Sequence, residues 1–121
     1  MEDDLVARGR VLRLETRGRV TGLPAVATVG FVERADGALL VAAGSPSAHW
    51  ARNLLVGPTC RVTIADLSFA AIAEPLSGPD HAAAVRDLIV KYGTPAEGLG
   101  AGPSFAITRE GTARAPSAEG A

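Results

Sequence analysis

Residues 14–24 read Leu14-Glu15-Thr16-Arg17-Gly18-Arg19-Val20-Thr21-Gly22-Leu23-Pro24. The stretch closes one β pattern and opens another. Upstream, Leu12, Leu14 and Thr16 fall on one face of an extended chain, with Val11, Arg13 and Glu15 on the other, which predicts a strand over residues 11–16. Gly18 and Gly22 punctuate the chain, and Pro24 confines Leu23 to extended geometry. The spacing therefore predicts a β-hairpin with a basic glycine turn. A second strand is expected over residues 25–33, with Val29 and Phe31 on one face. Asp36-Gly37 signals a two-residue hairpin turn of type I′. Residues 39–43 are almost wholly apolar and read as a central strand.

Further out, Gly44-Ser45-Pro46-Ser47 interrupts the strands. Ser45 or Ser47 is a candidate cap for a helix over residues 49–56, which Gly57-Pro58 stops. Alternation resumes over residues 60–65 and 68–74, with a turn at Asp66-Leu67. Ser77-Gly78-Pro79-Asp80 opens a longer helix with Ser77 as cap. Val85, Leu88, Ile89 and Tyr92 keep helical spacing and form its expected inward face, and Gly93 is the stop. A short strand over residues 105–108 follows the glycines Gly98, Gly100 and Gly102. The sequence shows no internal repeat. Antiparallel strands joined by tight turns favour a small barrel, because closure removes exposed edges. The expected architecture is mainly β with two helices. Residues 1–109 form one barrel domain, and residues 110–121, rich in Ala, Gly, Ser and charge, form a flexible tail.

Length and composition narrow the function. A chain of 121 residues fits one domain, and 47% hydrophobic with 21% charged residues marks a globular protein. A net charge of -1 argues against a general nucleic-acid binder. The single Cys60 excludes an internal disulfide and a cysteine zinc cage, and reads as a small buried residue. Met1-Glu2-Asp3-Asp4 has no apolar region behind it, so no signal peptide is expected, and no apolar run reaches the ~18 residues of a membrane span. A soluble, cytoplasmic protein is the expectation. His49 and His81 stand far apart and nominate no metal site. There is no Gly-x-Ser-x-Gly elbow and no Walker loop. Gly98-x-Gly100-x-Gly102 runs into Pro103 rather than a helix, and so fails as a dinucleotide fingerprint.

An absence of nucleophiles suits an enzyme whose cofactor carries the chemistry, leaving the protein to bind, orient and exclude water. The turn from Arg17 to Gly22 offers guanidinium and backbone N–H donors to an anion. Trp50, at the start of the short helix, offers a flat apolar wall. Each feature has an ordinary alternative: a hairpin with surface arginines, and a core Trp that anchors a helix.

The combination resembles the deazaflavin-dependent nitroreductase family, within the flavin/deazaflavin oxidoreductases of split β-barrel type. Its pattern is Leu-x-Thr-x-Gly-Arg-x-Ser-Gly-x-Pro-Arg, two strands, a Ser/Lys-rich loop, then Trp-Tyr-x-Asn-Leu-x-Ala-Asn-Pro. Leu14, Thr16, Gly18, Arg19, Thr21, Gly22 and Pro24 match the first half, and Trp50, Asn53, Leu54 and Gly57-Pro58 the second. The resemblance implies an antiparallel, Greek-key-like split β-barrel, a homodimer, a small-molecule substrate and coenzyme F420, a 5-deazaflavin with a phosphate and polyglutamate tail. By the same resemblance Arg17, Gly18, Arg19, Thr21, Gly22, Pro24, Ser45, Ser47, Trp50 and Asn53 hold the cofactor, and Tyr92 faces the substrate as the catalytic candidate. No metal is implied. The chain departs from the pattern at Val20 (for Lys), at Ala25 (for Arg), at Ala51 (for Tyr) and in the loop before Trp50, which lacks lysines. These losses keep open a non-catalytic barrel that binds FMN, another flavin or haem, or a dimeric interaction protein.

Overall fold

A computed structural model describes Val6, residues 8–93 and residues 99–110. Strands β1 (Leu12–Arg17), β2 (Pro24–Val29), β3 (Val32–Glu33) and β4 (Leu39–Ala42) lead into helix α1 (His49–Val56). Strands β5 (Thr59–Ile64) and β6 (Leu67–Pro75), helix α2 (Gly78–Tyr92) and strand β7 (Ser104–Arg109) complete the order. All seven strands join one sheet in the order β2-β1-β5-β6-β7-β4-β3, and every pairing is antiparallel. The two edge strands, β2 and β3, are consecutive in the chain with only Gly30 and Phe31 between them. So short a connection draws the two edges together, and the sheet curls into a split half-barrel. Over the described residues the expected mainly β fold, with helices α1 and α2, is the one formed.

Alternation builds the core. Leu12, Leu14 and Thr16 are buried on the inner face of β1, while Glu15 and Arg17 are exposed. They meet Val41, Val62, Phe105 and Ile107 from the facing strands. Helix α1 adds Ala51 and Leu54 to the same cluster. Helix α2 covers the other side of β4 and β7, where Ala84 packs with Ala38, Leu40 and Ala106. Strand β4 is therefore buried on both faces, although it lies next to the edge. Its unbroken apolar pattern reports cover by α2, not a central place in the sheet.

The structure departs from the expected elements at several points. The second strand breaks at Gly30-Phe31, the corner that brings β2 round to β3. The Asp36-Gly37 turn is not type I′, which needs positive φ at both central residues. Only Gly37 is positive, at 90°. Arg34 N–H donates to Ala38 O and Gly37 N–H to Arg34 O, giving a three-residue loop. The β5–β6 turn falls at Ala65-Asp66, one residue early, with Ala65 itself at φ 53°. Neither Ser45 nor Ser47 caps α1. The N-cap is Ala48, and Ser45 Oγ instead accepts the Ser47 N–H. Ser77 does sit at the N-cap of α2, but its side chain makes no cap bond. The buried face of α2 centres on Ala84 and Leu88, with Val85 and Ile89 half-buried.

The glycine run has a packing role. A Cβ on Gly102 would lie 2.6 Å from both Ala43 O and Ser45 O. Only glycine lets the start of β7 run against the loop between β4 and α1. Gly98 and residues 111–121 of the expected tail lie outside the described residues. Glu110 still follows the sheet, its N–H donating to Ala70 O.

Candidate functional site

The basic turn between β1 and β2 is held from within. Gly18 N–H donates to Leu23 O and Gly22 N–H to Gly18 O, each at 2.8 Å. Thr21 Oγ1 accepts the Leu23 N–H at 3.2 Å. A Cβ on Gly18 would meet Thr21 Oγ1 at 2.9 Å and Leu23 O at 3.0 Å, so the tight turn needs glycine there.

Helix α1 lies against this turn, and Asn53 joins the two. Asn53 is 3% exposed and Thr16 2%. Asn53 Nδ2 donates to Thr16 Oγ1 at 3.0 Å. Asn53 Oδ1 accepts from the Arg19 N–H at 3.2 Å and from Arg19 Nη1 at 2.8 Å. The guanidinium also reaches His49, through Nη1 to the carbonyl at 3.5 Å and Nη2 to ring Nδ1 at 3.3 Å. None of these acceptors is charged. They fix the guanidinium in place without cancelling its charge, which leaves it able to attract an anion.

Other site candidates fall around this latch. Arg17, Gly22 and Pro24 line a cavity of about 240 Å³ with Thr16, Thr59 and Arg61. Arg17 Nη1 makes one long contact, 3.5 Å to Gly22 O. Ser45 and Ser47 bond each other through their hydroxyls at 2.8 Å. Trp50 is half-buried against the core, its ring centroid 6.0 Å from that of Phe105 at a 56° tilt. Its packing supports the anchoring role.

Tyr92 does not join this group. Its hydroxyl donates to Arg10 O at 2.6 Å and accepts the Phe31 N–H at 3.0 Å, with Phe31 O a further 3.2 Å away. Its ring lies where a Cβ on Gly30 would come within 2.9 Å. Arg10 precedes β1 and Arg19 follows it. At about 3.3 Å per strand residue, Tyr92 sits at the end of β1 remote from the latch. It pins the β2–β3 corner, and Lys91 adds a 2.6 Å bond from Nζ to Phe31 O.

The remaining reactive side chains are occupied structurally. Burial pushes the Cys60 thiol up to about 11, so it stays protonated at neutral pH. His81 Nδ1 pairs with the buried Ser104 Oγ at 2.6 Å. Among the described residues no three potential metal ligands cluster, and no helix is long and apolar enough to cross a membrane. A cavity of about 500 Å³ beside Leu54, Leu55, Pro58, Ile72, Thr108 and Glu110 had no motif to announce it. Its trace in the sequence is the apolar Leu55 near the end of α1, which stays exposed.

Comparison with known proteins places this geometry. Residues 4–96 match the family model described as F420H(2)-dependent quinone reductase. No curated protein matches the sequence. Among solved structures, HutZ, the haem storage protein from Vibrio cholerae, superimposes with a TM-score of 0.70 at 22% identity, over 89% of this chain and 87% of that one. An F420-H2 dependent reductase, FDR-A, gives 0.69 at 21% identity, over 82% of this chain and 94% of that one. A haem-binding protein from Mycobacterium smegmatis gives 0.64 at 20% identity, over 88% of this chain and 48% of that one. At such identities these likenesses show a shared fold.

Proposed function

This chain belongs to the F420H(2)-dependent quinone reductase family, and on that premise we propose that it transfers a hydride from reduced coenzyme F420 to a quinone, with nitro compounds and enones as further acceptors. The observation that carries the reading is the latch. Two motif halves distant in sequence meet at Arg19 and Asn53, and hold a guanidinium fixed but uncancelled. An anionic cofactor tail suits that charge; the cavity lined by Thr16 carries Arg17 and Arg61 but also Glu15 and Glu110, so it adds no net positive charge of its own. When bound, reduced F420 supplies a hydride from C5 of its deazaflavin.

The residues divide the rest of the work. Arg19, the Thr21 hydroxyl and the backbone near Ser45 and Ser47 hold the tail. Gly18 and Gly22 shape the turn and expose its backbone, and Asn53 acts through Arg19. Trp50 walls the ring side. The quinone gains the hydride and a proton and leaves as the hydroquinone. A catalytic task for Tyr92 falls away in this reading, because its hydroxyl is committed to Arg10 and Phe31. A homodimer is part of the proposal.

The test is oxidation of reduced F420 by menadione in the presence of the purified protein, followed by absorbance. Turnover that needs both protein and menadione supports the reading. Failure to bind F420, with FMN or haemin bound instead, replaces it with the non-catalytic barrel.

A further inference from the structure

His49 is the first residue of α1, is exposed, and lies with ring Nδ1 3.3 Å from Arg19 Nη2. A guanidinium only donates and does not lose its proton in proteins. Nδ1 must therefore accept, and the ring proton sits on Nε2. In the neutral ring the contact favours the Nε2–H tautomer of His49 and leaves that N–H as an outward-facing donor on the far edge of the ring. Arg19 is itself fixed by Asn53 at 2.8 Å. A pinned guanidinium and an imidazole N–H directed away from it are two diverging donors, suited to successive anionic groups along one chain rather than to a single oxyanion.

We propose that His49 is a further cofactor-binding residue, whose Nε2–H donates to a phosphate or carboxylate oxygen of the deazaflavin tail, on the anionic group next to the one that Arg19 holds. The proposal rests on the F420 reading above.

Asn and Gln separate the two ring nitrogens. His49→Asn keeps an acceptor near Nδ1 for Arg19 but loses the outer donor. His49→Gln keeps a donor near Nε2. Dissociation constants are measured by fluorescence for F420 and for the same deazaflavin without phosphate and glutamates, with melting curves to confirm that each variant folds. The expected result is about tenfold weaker F420 binding in His49→Asn, binding within about threefold of wild type in His49→Gln, and no change for the tail-less deazaflavin in either. Unchanged F420 binding in His49→Asn overturns the role, as does equal weakening for both ligands. Either result leaves the F420 reading standing. Absence of F420 binding by the wild type overturns both.

Discussion

Asn53 uses both ends of its amide, with two donors from Arg19 on one oxygen and one acceptor at Thr16. Asn53→Ala orphans these groups in a buried setting and is expected to cost about 2 kcal/mol, read as a lowered denaturation midpoint. Tyr92→Phe removes the hydroxyl that joins Arg10 to Phe31. The expected loss is about 1–3 kcal/mol in stability with the KM and kcat for menadione unchanged in the folded protein, a split that a substrate-facing tyrosine would not produce. Cys60 is expected to resist iodoacetamide at neutral pH in the folded protein and to react once denatured, since burial holds its thiol near 11. Arg19 and Asn53 were both legible as motif positions. Their contact was not, because residues 34 apart meet only once β1 and α1 are packed. The backbone partners of Tyr92 were hidden for the same reason: helical spacing shows that it turns inward, not which backbone atoms it finds.

The elements were legible where alternation or a breaker marked them. Strand β1, helix α1 and the β5–β6 hairpin lie within a residue or two of expectation. Turn chemistry was less legible, because Asp-Gly serves more than one hairpin loop. Here the Asp36 carboxylate takes two bonds from the Arg34 guanidinium, at 3.0 and 2.8 Å, and one from the Ala38 N–H at 3.1 Å. The Arg34 bond, then the Ala38 N–H, holds that carboxyl down at about 2. Folding thus favours its charged form, so the contribution is present in full above about pH 4 and lost as pH falls through 2. The stability gap between wild type and Asp36→Asn is expected to close over that window. Gly102 is an element-scale constraint that the dinucleotide test missed. With two backbone oxygens 2.6 Å from an added Cβ, Gly102→Ala is expected to cost about 1–3 kcal/mol and to shift the loop before α1.

At the scale of the molecule, edge strands that are neighbours in the chain curl the sheet into a half-barrel, and α1 brings the second motif half against the first turn. The antiparallel, tightly turned strands were legible in the sequence, but the sheet keeps β2 and β3 as edges, so the expected full closure is realised only as a half-barrel. The cavity beside Leu55 and Pro58 was not legible, since it arises where α1 meets β6 and β7 and no single segment encodes it. The frame keeps the glycines, Arg19 and Asn53 although Val20 and Ala25 carry no charge. One latched arginine, Arg19, is therefore the chief residue proposed to grip the cofactor tail. Titration of coenzyme F420 into wild-type and Arg19→Ala protein at low and high salt tests this most directly. Micromolar binding that weakens with salt and falls at least about tenfold in Arg19→Ala is the expected result. Equal affinity in the two proteins, or no F420 binding by the wild type at low salt, would contradict it.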